Sequence, residues 1–253
     1  MSVDHSSEGM KELMTSAKVA MEEKGLVHVL RSMVKEGSFR IGNSLALFYY
    51  NTFKSLYKFD FQGKKYGYLY IRYNRTWRNE RAVEIPIIWE VVKRFQGKNF
   101  LEFGNVISHY FSVSHEVVDK YEKAPGVINQ DIVDFRTERR YDLIVGISTL
   151  EHVGLDEEQK DPEKTLRAVE VLRSLLSPTG KLMLTIPVGY NPHLDRYLDE
   201  DRMKFTGMYC LKRVSASNRW MEVEWKDIKG SKFHYPYHNA NGLVIAVFEN
   251  RAA

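Results

Sequence analysis

Cysteine is almost missing from this chain: Cys210 is the single one in 253 residues. That excludes an internal disulfide and any cysteine-based zinc cluster, and it predicts a reducing, cytoplasmic setting. Long apolar runs are missing too. None reaches the roughly 18 to 20 residues that cross a bilayer, and the opening Met1-Ser2-Val3-Asp4-His5 is polar, unlike a secretory leader. No G-x-G-x-x-G follows the first core strand, which argues against a nicotinamide oxidoreductase. No recognised nucleic-acid module occurs, so no nucleic-acid partner is expected. His234 and His238 are neighbours at helical spacing, but Pro236 between them breaks the helix that would aim both at one metal. No acid cluster accompanies them, and no metal site is expected.

What is present is ordinary for a folded domain: 43% hydrophobic and 28% charged residues, which argues against disorder over most of the length. The length suits one large α/β domain with an extension and is too short for two full domains. Charge is unevenly placed. Residues 1–82 hold fourteen Lys/Arg against eight Asp/Glu, or +6, and the whole chain is +4, so the remainder is 4 − 6 = −2. The basic surface is therefore amino-terminal, a bias that solvated helix faces produce as readily as an anionic partner does.

Apolar residues recur at helical spacing three times in the amino-terminal part: Met10, Leu13, Met14, Ala17 and Met21; Leu26, Val29, Leu30 and Met33; Leu45, Phe48, Tyr49, Phe53 and Leu56. The third stripe, with Lys54 and Lys58 alongside, suits a helix packed across the core; the other reading is peripheral membrane contact through 40–58. A small hairpin turning at Gly63 follows. Asn79 is placed to cap a helical turn, Pro86 to begin the next, and Gly97 to stop it. The expected division is a helical extension with the hairpin over 1–78 and a larger domain over 79–253.

From Lys98 onward strand and helix signals alternate. Strands are expected near 99–103, 115–119, 126–131, 141–147 and 181–187, with a late buried strand over 242–248 as the antiparallel member. The best-marked helix has Asp161 as cap and Pro162 in its first turn, and Ser177-Pro178-Thr179-Gly180 ends it. Such alternation implies an α/β fold with a doubly wound, mainly parallel sheet. Acidic or small residues close consecutive strands: Glu102 and Gly104, then Asp119, then Asp131, then Ser148. The carboxyl ends of strands in an open parallel sheet form the crevice where a nucleotide-like ligand binds.

Five segments in this order and spacing, LEFGN at 101–105, VVD at 117–119, QDI at 130–132, YDLIVGISTLEHVG at 141–154 and LLSPTGKLMLTIP at 175–187, resemble the class I S-adenosylmethionine-dependent methyltransferases over about residues 79–250. The resemblance implies a seven-stranded Rossmann-like sheet with an S-adenosyl-L-methionine pocket at the carboxyl ends of its first half, and a small-molecule, glycan or lipid acceptor. Family members commonly carry an acidic-x-Gly-x-Gly-x-Gly loop. This chain keeps Glu102 and Gly104 but has Val106 and Ser108 where the later glycines stand. That departure supplies the alternative: a catalytically silent member of the fold that binds a partner.

The ligand's chemistry assigns expected roles. Asp119 accepts the paired ribose hydroxyls; Asp131 accepts the adenine amine while Ile132 packs on the ring; Glu102 meets the cationic amino group or instead caps the next helix; Arg81 holds the methionine carboxylate or lines the acceptor pocket, weighed against a capped helix start with surface ion pairs. Gly104 lets the backbone approach the ligand, Asn105 compensates for the missing glycines by a left-handed turn, and Ser148 closes the fourth strand beside the cofactor. Histidine is the residue type suited to taking a proton from an acceptor hydroxyl, and His152 is the candidate catalytic base, weighed against a packing role.

Overall fold

The computed structural model describes residues 26–250. The chain divides into two compact units with the boundary between Thr52 and Phe53. In the first, one α-helix, α1 (Leu26–Tyr49), runs through both the second and part of the third apolar stripe, and a π-helical turn follows over Tyr50–Lys54. The two stripes expected as separate helices are thus continuous, since only Gly37 and Gly42 interrupt the apolar pattern and a helix tolerates isolated glycines. The stripe at 10–21 lies outside the described residues. Leu45 and Phe48 are each 64% exposed and Leu56 is 85% exposed.

The second unit begins with the hairpin β1 (Lys58–Phe61) and β2 (Lys64–Gly67), joined by Gln62 and Gly63, both at positive φ, the left-handed pair that a two-residue hairpin turn requires. Phe59 and Phe61 face inward and pack with Trp220 and Ile245, and Gln62 bonds Glu222. The burial of Phe59 and Phe61 ties the hairpin to the sheet unit.

Next come α2 (Arg81–Val92), β3 (Phe100–Phe103), β4 (Glu116–Val118), β5 (Val127–Ile128), β6 (Tyr141–Ile147), α3 (Lys164–Ser174), β7 (Leu176–Pro187), α4 (Pro192–Asp199), β8 (Gly207–Arg213), β9 (Trp220–Val223), α5 (Trp225–Ile228) and β10 (Gly242–Glu249). The sheet order is β5-β4-β3-β6-β7-β10-β8-β9. Pairing is parallel from β5 through β7, and β10 lies antiparallel between β7 and β8. This is the expected doubly wound, mainly parallel sheet, with an eighth strand, β9, added as a hairpin partner of β8 at the edge.

Both faces of β6 are covered. Ile144 packs into the cluster under α3 and α4, whereas Leu143, Val145 and Ile147 pack into the cluster under α2 and the hairpin. Strands buried on both sides read as continuous apolar runs, as here. Two local expectations change. Pro86 sits inside α2 instead of opening it, and the Ala82 carbonyl that loses its helical partner accepts from Leu69 N–H at 3.0 Å. Ser177–Gly180 belong to β7, whose register shifts opposite Tyr141 and Leu143. No helix among the described residues is long and apolar enough to cross a membrane.

Candidate active site

A cavity of about 500 Å³ opens at the carboxyl ends of β3, β4 and β6. Gly104, Asn105, Asp119, Asp131, Ile132, Ser148, Arg81 and His152 all contribute to its wall. Seven of the eight residues expected at the ligand, and the candidate base, therefore converge on one hollow.

Glu102 does not. It is fully buried at the end of β3, where one oxygen accepts from Val106 N–H (2.8 Å) and Ile107 N–H (2.7 Å) and the other lies 2.6 Å from His115 Nε2. One oxygen caps the turn at 107–109 and the other is taken by His115, and Glu102 is not part of the cavity wall. Gly104, at φ +84°, makes the turn possible: a Cβ there would stand 2.3 Å from Thr149 Oγ1.

Asn105 is not left-handed. It ties the loop down with three bonds: its N–H to Asp119 Oδ2 (3.1 Å), its amide to Glu122 (2.6 Å), and its side-chain oxygen accepting from Ser108 (2.5 Å). Val106 runs at φ −115°, where any residue fits. Ser108 lies in the following turn without positive φ. The later glycines of the family loop are therefore not demanded by this backbone.

Asp119 ends β4 with its carboxylate already accepting from Tyr121, Glu122 and Asn105 N–H groups. A carboxylate has about four acceptor sites, so a hydroxyl donor can still join. Asp131 caps the turn at 132–134 through Val133 N–H and pairs with Lys164 (2.5 Å) and Lys120 (2.9 Å). Burial opposes its charge, but the bonds from Lys164 and Lys120 outweigh it and hold the carboxyl below its usual range. Glu157 completes this group of two cations and two anions.

Behind the opposite wall lies a buried acid group. Glu84 is fully buried and accepts from Ser148 Oγ (2.8 Å) and Thr185 Oγ1 (2.6 Å), with Arg81 3.0 Å from its other oxygen. Arg81 also donates to the Ile147 carbonyl. Burial works against the guanidinium's charge, yet Glu84 and Glu80 more than restore it. Burial pushes Glu80 and Glu151 up, Glu80 further through Glu84, so both tend toward the neutral acid. Ser148, at φ +42°, is held in that strained turn by Thr185 and Glu84. Tyr110, whose hydroxyl is buried beside Arg81, is pushed up to about 12, mainly by burial.

Several wall residues carried no sequence signal. Tyr73 stacks on His109 at 4.6 Å and meets Tyr110 edge-on, and His109 lies 3.1 Å from Glu122. These contacts come from a loop and a short turn remote in sequence, and no periodicity marks them. His152 Nδ1 lies 2.6 Å from Asp156 Oδ2, which also accepts from Tyr190 at 2.6 Å. Asn191 caps α4 through His193 and Leu194 N–H and donates to the Glu151 carbonyl, fixing the Tyr190 loop against the His152 turn. His234 and His238 stack on each other at 4.4 Å.

No protein-family model matches the sequence, and no curated protein matches it. Solved structures do resemble the fold. The N-methyltransferase NodS of Bradyrhizobium japonicum WM9, in complex with S-adenosylhomocysteine, is 14% identical, with 68% of this chain and 91% of that one covered at a TM-score of 0.39. A SAM-dependent methyltransferase from Archaeoglobus fulgidus is 11% identical over 64% and 91%, at 0.40. The 1,6-didemethyltoxoflavin-N1-methyltransferase of Burkholderia thailandensis is 14% identical over 64% and 76%, at 0.39.

Proposed function

We propose that the sheet unit is an S-adenosyl-L-methionine-dependent methyltransferase acting on a small-molecule, glycan or lipid acceptor. One observation carries this reading: Gly104, Asp119, Asp131, Ile132 and Ser148, drawn from the ends of four successive core strands, line a single cavity. Its volume is that of a small-ligand site. The residues fit the ligand's parts. Asp119 retains acceptor capacity toward a ribose hydroxyl, Ile132 offers an apolar face to a base beside Asp131, and Arg81 brings a charged guanidinium toward a carboxylate. The Gly104 turn leaves no Cβ in the way.

When bound, S-adenosylmethionine supplies a methyl group on a sulfonium, already a strong electrophile. The protein's own contribution is then mostly alignment of the acceptor and exclusion of water. Tyr73, His109 and Tyr110 form an aromatic wall suited to that exclusion.

Calorimetric titration of the full chain with S-adenosylmethionine and S-adenosylhomocysteine tests the assignment. Micromolar affinity, about −8 kcal/mol, is expected, lost in Asp119→Ala and weakened in Asp119→Asn, which keeps one oxygen for the backbone donors. Absence of binding by a folded protein would instead favour the silent partner-binding member.

A second reading concerns the 40–58 segment, which holds the last turns of α1 and the π-helical turn after it. Ile41, Leu45 and Phe48 are exposed at spacings that align them on one side of the helix, and no acid follows Glu36 before Asp60. An exposed apolar stripe in a basic stretch suits the interface of an anionic membrane.

A further inference from the structure

His152 and Tyr190 belong to different turns, after β6 and after β7, and meet on one carboxylate. Asp156 Oδ2 lies 2.6 Å from His152 Nδ1 and accepts from Tyr190 Oη at 2.6 Å. The two rings touch edge to face at 4.7 Å, and Phe233 braces Tyr190 from the other side at 5.1 Å. His152 is part of the cavity wall; Asp156 and Tyr190 stand behind it.

Resting on the methyltransferase reading, we propose that Asp156, steadied by Tyr190, fixes His152 in the tautomer with its proton on Nδ1, so that Nε2 serves as the base for an acceptor bearing a removable proton on oxygen, namely an alcohol or a phenol. Geometry selects the nitrogen. Nδ1 is committed to Asp156, and the nearest acid to Nε2 is Glu151 at 3.8 Å. The groups facing the ring are thus Asp156, Tyr190 and Glu151. Burial keeps Glu151 toward its neutral form, so Asp156 is the anion that orients the imidazole. Asp156 keeps its charge because the bonds from His152 and Tyr190 outweigh the burial that opposes it. Tyr190 is pushed up by burial and then by Asp156, so it stays a donor.

The proton balance follows. As the acceptor's lone pair bonds to the methyl carbon, the carbon–sulfur bond breaks with its electron pair kept on sulfur, and the acceptor's proton passes to Nε2. The positive charge given up at sulfur appears on the imidazolium, next to Asp156, and leaves as the ring returns its proton to solvent. A general base of this kind is worth about 10²- to 10⁴-fold in rate. Asp156 acts through His152 and is a positioning residue.

Long-range ¹H–¹⁵N correlation spectra of the full chain, with His152 identified by its absence in His152→Gln, read the tautomer directly. The wild type should show Nδ1 protonated and Nε2 bare; Asp156→Ala should lose that preference, and Tyr190→Phe should keep it. Acylation by diethyl pyrocarbonate then reads the nucleophilicity of Nε2. His152 should react about tenfold more slowly in Asp156→Ala. A proton on Nε2 in the wild type, or a tautomer and acylation rate indifferent to Asp156, would overturn the proposal. Calorimetry with S-adenosylhomocysteine on the same samples separates the two claims. Asp156→Ala should bind within about threefold of wild type, whereas a folded wild type that binds nothing sinks the methyltransferase reading while leaving the tautomer result standing.

Discussion

Replacing Glu102 by alanine would strand the Val106 and Ile107 N–H groups and His115 at once, all against a side chain with no solvent exposure. Unsatisfied buried donors cost about 1–3 kcal/mol each, so Glu102→Ala should lose about 3 kcal/mol or more in urea unfolding. Glu102→Gln keeps an acceptor for the two backbone donors and should lose about 1 kcal/mol. The expected gap between the two closes if Glu102 is a ligand contact instead of a cap. Asp195 makes a separate prediction. Burial raises its carboxyl from 3.8 to about 6, with Gly189 N–H pulling the other way, and its second oxygen is buried without a partner. Between about pH 4 and 6 the folded state holds a proton that the unfolded chain has released, so stability is full below that window and falls as pH rises through it. The loss, discounted for partial exposure, is on the order of 1–2 kcal/mol. Stability measured across that range should fall in the wild type and stay flatter in Asp195→Asn.

At the scale of elements, α1 carries its own prediction. Sedimentation with phosphatidylserine-containing vesicles should capture the full chain, whereas vesicles of phosphatidylcholine alone should capture much less. Each nearby Lys or Arg adds about 1 kcal/mol at an anionic surface. Leu45→Asp with Phe48→Asp should abolish capture, and indifference of binding to either change would dismiss the membrane reading. Elements differ in how legible they were. β6 shows as an apolar run ending in small and polar residues, and β10 shows in the same way, because a strand covered on both faces needs apolar residues throughout. β8 and β9 were not located: β9 exposes Met221 and places Trp220 inside, a pattern legible only once its partner is known. Pro86 pointed to a helix start, yet the Leu69 N–H supplied what the interior proline took away.

At the scale of the whole molecule, a ligand held in the cavity would stabilise the folded chain. A ligand that binds only the folded protein at about 100 times its dissociation constant stabilises it by about 2.7 kcal/mol, so S-adenosylhomocysteine should raise the unfolding midpoint of the wild type and leave Asp119→Ala unmoved. The parallel strands from β3 to β7 and the residues closing them were legible in the sequence alone, since periodicity and turn residues are local properties that each segment carries wherever it lies. Only tertiary structure decided which acid faces the hollow and which is consumed in holding it open. Glu102 and Asp119 look alike as strand-end carboxylates; His115 and the Val106 turn claim the first, while the second keeps an open side. Asp156 gained its role in the same way, because Tyr190 reaches it from 34 residues further along the chain. Such a hydrogen bond depends on where two loops meet at the sheet edge, which no local pattern records.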